Sequence, residues 1–82
     1  MKEYYLQPLP EQNQIDFYRK AKVVVQDDGS ETLYSYDTPV IRRNADGTYT
    51  RLWDSYSQTT GRHIKAFTNG MNKKEFEELP LE

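Results

Sequence analysis

Alternating apolar and polar residues predict three β-strands. After them, apolar residues recur at the spacing of an α-helix. The first strand covers about residues 17–25, where every second side chain between positions 21 and 25 is apolar and shares one face. The second strand runs from about residue 32 to 42, with a bend or edge position at Pro39, and the third covers residues 48–54. We therefore expect an antiparallel meander with one face packed on a helix.

The dipeptide Asp28-Gly29 sets the expected register of the first hairpin. It predicts a two-residue loop, because a type I′ turn needs positive φ at both central positions. Such a loop places Val23 opposite Tyr34. It also places Lys20 opposite Asp37, and this pair of opposite charges supports the register.

The second turn, residues 44–47, is compatible with two registers. A two-residue loop sets Arg42 opposite Arg51, whereas a three-residue loop with a left-handed glycine sets Arg43 opposite Tyr49. We favour the three-residue loop, because it keeps like charges from facing each other across the two strands.

The segment after the third strand predicts a helix over about residues 58–69. Ser57 can cap its first turn, and Gly70 can supply the left-handed position that ends it. Ile64 and Phe67 are three residues apart, so they share a stripe that can lie on the sheet.

The chain divides into an extended N-terminal arm, residues 1–16, and a single βββα domain, residues 17–82. The arm contains prolines and has no clear period, and it either docks on the domain or belongs to a partner. Asn72 can cap a last helical turn over residues 73–79. The expected fold class is α+β: a three-stranded antiparallel β-meander packed on one α-helix, with a short C-terminal helical turn and an extended N-terminal arm.

The sheet face turned away from the helix is more apolar in this arrangement than a solvated face should be. Its candidate interaction residues are Val24, Leu33, Ile41, Tyr49 and Trp53. The arm, the last turn, a second copy or a binding partner can cover such a face, and the sequence does not choose among them. The leading hypothesis is a non-catalytic protein that binds an unknown protein partner or forms a homodimer through this face.

The length and composition of the chain exclude several classes of protein. A chain of 82 residues with 35% hydrophobic and 29% charged residues makes one small domain with a modest core, so a deep enzyme cleft is not expected. The absence of cysteine excludes disulfides and thiolate chemistry. No apolar run is long enough to span a membrane and the N-terminus lacks a signal-peptide core, so a cytoplasmic protein is expected.

The polar residues of the strand-to-helix segment suggest no catalysis. His63 is the only histidine, and a metal site would have to be built mostly from carboxylates, so neither a metal nor another cofactor is expected. Ser57 and His63 are six residues apart on one helix and point in different directions, which argues against a triad with Asp54. We expect no catalytic residue, and we interpret His63 as a structural histidine bonded to a hydroxyl or carbonyl.

The alternative hypothesis is a small nucleic-acid-binding module that uses a local arginine patch, with aromatic rings nearby for stacking. The formal net charge of −2 argues against it, because only a local patch would attract a nucleic acid. The candidate residues are Arg42, Arg43, Arg51, Arg62, His63 and Lys65.

Several short sequence motifs follow one another along the chain. They are Phe17-Tyr18 with Lys20-Ala21, Leu33 to Tyr36 with Thr38, Arg51 to Asp54, and Tyr56-Ser57 with Thr59-Thr60 and Arg62 to Ile64. In these motifs the chain resembles an uncharacterised family of small proteins encoded by bacterial phages, plasmids and integrated elements. The resemblance implies a stand-alone accessory domain of a mobile element, and it carries no known activity.

The chain departs from the family pattern at three positions. The pattern has glycine where Arg19 and Ser55 stand, and a large apolar residue where Gly61 stands. With Ser57 as the cap, position 61 is where a residue would staple onto Tyr56. We therefore expect a looser helix start, since glycine costs about 1 kcal/mol relative to alanine in a helix.

Overall fold

The computed structural model describes residues 2–12 and 16–82. They form a five-stranded antiparallel sheet in which each strand pairs with its neighbours in sequence, and two helices complete the domain. The elements in chain order are β1 Lys2–Tyr5, β2 Ala21–Val25, β3 Glu31–Ser35, β4 Thr38–Arg43, β5 Tyr49–Arg51, α1 Gln58–Thr68 and α2 Lys73–Glu77.

The expected three-stranded meander on one helix is wrong, although the α+β class is confirmed. One additional strand, β1, comes from the N-terminal arm, which docks on the domain by pairing Tyr4 with Val23. The predicted second strand is in fact β3 and β4, because the chain reverses at Tyr36-Asp37. Tyr36 has a left-handed backbone conformation with φ of 58°. This conformation is uncommon for a bulky residue, so the sequence did not predict the turn.

The predicted register of the first hairpin is also wrong. Val23 pairs with Leu33 rather than with Tyr34, because the loop contains three residues instead of two. The N–H of Gly29 donates to the carbonyl of Gln26 at 3.1 Å, and Gly29 takes the left-handed position with φ of 93°. A shift of one residue moves every side chain of β3 to the other face, and this shift carries Leu33 into the core.

The favoured register of the second hairpin is confirmed, since Arg43 pairs with Tyr49. Both loops contain the same hydrogen-bonding motif. The aspartate before the glycine accepts hydrogen bonds from the residue that follows the glycine. The Oδ1 atom of Asp46 accepts hydrogen bonds from the N–H and the hydroxyl of Thr48, at 3.0 and 2.6 Å. Asp28 binds Ser30 in the same way in the first loop, and these bonds lower the pKa of both carboxyl groups.

The core lies between one face of the sheet and the two helices. On the sheet side it is formed by Val23, Leu33 and Ile41, and α1 adds Ile64 and Phe67. Two further phenylalanines complete it: Phe17, from the segment before β2, and Phe76, the buried residue of α2. The opposite face of the sheet carries neither helix, and we call it the helix-free face.

The ends of the helices follow local sequence signals. The Ser57 hydroxyl accepts the N–H of Thr60 at 3.0 Å, which confirms the predicted cap of α1. The helix ends at Thr68, and Asn69 rather than Gly70 is its left-handed cap residue, with φ of 62°. Asn72 caps α2 in a reciprocal capping box with Glu75, so this predicted cap is confirmed as well.

The glycine at position 61 is required by a close neighbour. The ring of Tyr56 lies so near that a Cβ on Gly61 would stand 2.5 to 2.6 Å from its atoms. The same ring packs against Phe76, with the two ring centres 5.6 Å apart. The tyrosine side chain therefore occupies the space that a staple residue would take, and the expectation of a looser helix start stays a prediction.

Candidate functional site

The predicted apolar interaction face does not exist as a surface. Leu33 and Ile41 are completely buried beneath α1, and Val24 is only 6% exposed. Tyr49 is half-buried and contacts the ring of Phe67, with centroids 6.4 Å apart. Of the five candidates only Trp53 is exposed. The misplaced register of the first hairpin caused this error, because it assigned the core residues of β3 and β4 to the outer face.

The predicted arginine patch is not brought together either. Arg43 lies on the helix side, where its guanidinium donates to Glu31 Oε2 at 2.8 Å, to the Phe67 carbonyl at 2.6 Å and to Tyr49 Oη at 3.2 Å. Burial opposes the charge of Arg43, but the hydrogen bonds with Tyr49 and Glu31 and the negative charge of Glu31 outweigh it and raise the pKa of Arg43. Arg43 therefore fixes the end of α1 to the sheet.

The other basic candidates point in different directions. Arg42 lies on the helix-free face and donates to Asn44 and Glu82, whereas Arg51 donates to the Leu79 carbonyl near α2. Arg62 and Lys65 are exposed on α1. These side chains are spread over two sides of the sheet, so they do not form one binding surface.

His63 is a structural histidine, as the sequence predicted. Its Nδ1 lies 2.8 Å from the hydroxyl oxygen of Ser35, and the edge of the ring contacts Phe17 with centroids 4.6 Å apart. The side chain is 2% exposed, and burial lowers the pKa of His63 to about 4. His63 is therefore neutral at physiological pH and is not accessible to a ligand.

A group of aromatic and basic side chains that the sequence analysis did not combine lies on the helix-free face and at the adjoining end of the sheet, where Lys22 and Tyr34 are partly exposed and the other members are exposed. Tyr5 pairs with Lys22 and Lys22 pairs with Tyr34, so the three side chains form a row across β1, β2 and β3. The residues just before β2 lie beside this row. Tyr36, just after β3, lies at the same end of the sheet but toward α1, with its ring centre 6.1 Å from that of His63. We call the group the tyrosine–cation patch, and it consists of Tyr5, Tyr18, Arg19, Lys20, Lys22, Tyr34 and Tyr36.

Each cation of the patch lies over a tyrosine ring. The Arg19 guanidinium is 5.5 Å from the centre of the Tyr5 ring. The Lys22 ammonium is 5.4 Å from the centre of Tyr34, and the corresponding distance from Lys20 to the Tyr36 ring is 5.7 Å. These distances fit cation–π contacts, which hold the side chains in place while leaving them at the surface.

The backbone of the patch is strained. Tyr18, Arg19 and Tyr36 have φ values of 53°, 62° and 58°, in the left-handed region that favours glycine. Such a conformation costs on the order of 1 kcal/mol or more for each residue, and strain of this kind concentrates at binding sites. The sequence did carry one signal of it, since the resembling family has glycine at the position of Arg19. Here a cation occupies a position that suits glycine.

A polar depression of about 350 Å³ lies at the other end of the helix-free face. Its side chains mostly bind one another: Ser30 donates to Asp28, and Arg42 donates to Asn44. They leave few groups for a ligand. The lining residues are Gln26, Asp28, Ser30, Thr32, Arg42, Asn44 and Ala45.

Within residues 2–12 and 16–82, no group of three or more histidine, cysteine, aspartate or glutamate residues is arranged to hold a metal ion. No helix within them is long and apolar enough to cross a membrane.

The fold defines a small α+β domain built on one antiparallel meander. A model of the DUF8033 family, described as a family of unknown function, matches residues 4–79, and the chain belongs to this family. The match begins at Tyr4 of β1, so it includes part of the N-terminal arm. The other comparisons found no matching curated protein and no matching solved structure.

Proposed function

We propose that the protein is a non-catalytic binding domain that holds a single-stranded nucleic acid on the tyrosine–cation patch. The observation that carries the proposal is the row in which Lys22 on β2 separates two tyrosines on the flanking strands, Tyr5 on β1 and Tyr34 on β3. Rings at a surface stack on unpaired bases, and a cation between them is placed for the phosphate that links those bases.

The exposure of the rings supports this assignment. Tyr18 is 71% exposed, Tyr5 and Tyr36 are about half exposed, and Tyr34 is partly exposed, whereas tyrosine is on average intermediate in burial. Stacking of one base on an aromatic ring contributes about 1–3 kcal/mol and tolerates any sequence, because every base has a π-face. A patch of this kind favours unpaired strands over duplexes, whose bases are already stacked.

The acidic balance of the chain does not exclude the proposal. Asp27, Asp28 and Asp46 belong to the two hairpin loops, which lie at the end of the sheet away from the patch. Three carboxylates lie beside the patch and lower its attraction for phosphate: Glu3 is 4.0 Å from the Lys22 ammonium, Asp16 Oδ1 accepts the Tyr18 N–H at 3.0 Å, and Asp37 follows Tyr36 in the same turn. The local charge at the patch therefore decides the interaction more than the net charge of −2.

An accessory role in a mobile element and a cytoplasmic location belong to the same proposal. Their support is the resemblance of the motifs between Phe17 and Phe67, together with the composition of the chain. A small domain that binds single strands suits the replication or transfer of such elements. The proposal replaces the arginine patch as the nucleic-acid surface, since those arginines lie apart.

Fluorescence anisotropy with a labelled single-stranded oligonucleotide of mixed sequence tests the proposal. The affinity should exceed that for the matching duplex and should fall linearly on a log–log plot against salt concentration. Tyr34→Ala should weaken binding about tenfold or more, because it removes one stacking surface. Trp53→Ala removes an exposed ring outside the patch and should leave the affinity unchanged.

The proposal fails if no single strand binds at low salt. It also fails if Trp53→Ala weakens binding as much as Tyr34→Ala, because the loss would then not come from the patch.

A further inference from the structure

The two edges of the sheet differ in whether another segment of the chain pairs with them. The edge at β5 is covered by the C-terminal segment: Leu81 bridges to Arg51, the Arg51 N–H donates to the Pro80 carbonyl at 2.8 Å, and the Glu82 N–H donates to the Arg51 carbonyl at 2.9 Å. No segment among residues 2–12 and 16–82 pairs with the outer side of β1. A row of backbone donors and acceptors is therefore exposed along β1.

The pairing with β2 determines which groups of β1 point outward. The Leu6 N–H donates to the Ala21 carbonyl at 2.8 Å, and the direction of backbone hydrogen bonds alternates along an antiparallel strand. Lys2, Tyr4 and Leu6 therefore direct their backbone groups toward β2. The N–H and C=O groups of Glu3 and Tyr5 face away from the sheet.

We propose that β1 pairs with the β1 strand of a second copy of this chain, in an antiparallel arrangement about a two-fold axis. Glu3 then lies opposite Tyr5 of the second copy, and the two equivalent pairs form about four backbone hydrogen bonds. Tyr4 lies opposite Tyr4 of the second copy, so an aromatic pair forms at the axis. The two five-stranded sheets join into one continuous sheet.

Two features favour a second copy as the occupant. No like charges stand directly opposite each other in this register, because Lys2 faces Leu6 of the second copy and Glu3 faces a tyrosine. The two-fold arrangement also limits the assembly, because each copy uses its β1 edge once and its β5 edge is bridged at Arg51 by the C-terminal segment. The product is a closed dimer, and it does not depend on nucleic-acid binding.

The mass in solution, measured by light scattering during size exclusion, tests the dimer. The wild-type chain should elute at twice the mass of 9.7 kDa. Glu3→Pro removes an outward N–H without breaking a bond to β2, so it should give a folded monomer. Glu3→Ala keeps that N–H and should remain a dimer.

A cysteine variant gives a second readout that does not require a proline to be tolerated. The chain has no cysteine, so Tyr4→Cys introduces a single thiol. Across the axis the two Cα atoms would lie about 4.5 Å apart, a separation that suits a disulfide. Mild oxidation should link Tyr4→Cys into a covalent dimer, whereas Lys74→Cys, exposed on α2, should stay unlinked.

A monomeric wild type at the highest soluble concentration overturns the proposal. A dimer that persists in Glu3→Pro, or Tyr4→Cys that links no faster than Lys74→Cys, overturns it as well, because the contact would then lie elsewhere.

Discussion

The Nδ1 atom of His63 and the hydroxyl oxygen of Ser35 lie 2.8 Å apart between α1 and β3, in a part of the core that water does not reach. The histidine therefore links the helix to the sheet in its neutral form. Burial lowers the pKa of His63 to about 4, against 6.5 in an exposed histidine. This difference makes the stability of the domain depend on pH.

Stability should decrease as the pH falls from about 6.5 to about 4. In this window the unfolded chain binds a proton at His63 and the folded chain does not, so the free energy of unfolding falls by up to about 3 kcal/mol. Below pH 4 both states are protonated and this contribution changes no further. Urea unfolding at several pH values measures the effect. His63→Asn cannot titrate, so an unchanged pH slope in that variant contradicts the assignment.

Gly61→Ala should destabilise the protein although alanine is the better helix former. The gain in helix propensity is about 1 kcal/mol, but the new Cβ would stand 2.5 Å from the Tyr56 hydroxyl oxygen, and relief of such a clash costs about 1–3 kcal/mol. Thermal unfolding of a double-mutant cycle checks the cause. In the Tyr56→Ala background, Gly61→Ala should become neutral or stabilising, and a persistent loss there would point to another neighbour.

Arg43→Ala should destabilise the domain by about 2 kcal/mol, because it removes the donor of the Phe67 carbonyl and the ion pair with Glu31, which keeps only the bond from Tyr4. Arg43→Lys should recover little, since one ammonium cannot reach all three acceptors. Arg42→Ala is the matched control: its partner Glu82 is largely exposed, so the loss should stay below about 1 kcal/mol. Urea unfolding compares the three variants, and equal losses at Arg42 and Arg43 would contradict these roles.

Arg19→Gly should stabilise the protein by about 1 kcal/mol, because it relieves a left-handed backbone with φ of 62°. Lys20→Gly is the control, since Lys20 does not have a positive φ, and there glycine only adds freedom to the unfolded chain. Thermal unfolding should therefore move in opposite directions for the two variants. A loss of stability in Arg19→Gly would show that the contact with Tyr5 outweighs the strain.

Local signals in the sequence predicted the helix caps and the second hairpin, because Ser57, Asn72 and Gly47 each act on their immediate neighbours. The first hairpin could not be predicted from Asp28-Gly29 alone, since the length of its loop depends on the bond from Ser30 to Asp28. Strand β1 has only four residues, too few for a period to be visible. Its position follows from tertiary pairing with β2.

The candidate site was missed for related reasons. The one-residue error in β3 placed Tyr34 in the core and Leu33 at the surface, so the row with Lys22 was hidden. Tyr5 joins this row only because β1 pairs with β2. The single signal available in the sequence was Arg19, which stands where the resembling family has glycine and where the backbone is left-handed.

Binding of a labelled single-stranded oligonucleotide by Arg19→Gly tests the central claim most directly, because the variant removes a cation of the tyrosine–cation patch while relieving backbone strain. We expect this variant to be more stable than the wild type and to bind the oligonucleotide several-fold more weakly. The slope of log affinity against log salt concentration should become about 0.7 less steep. Arg62→Ala, which removes an exposed cation of α1, should bind as the wild type does. Unchanged affinity and slope in Arg19→Gly, or an equal loss in Arg62→Ala, would contradict the claim.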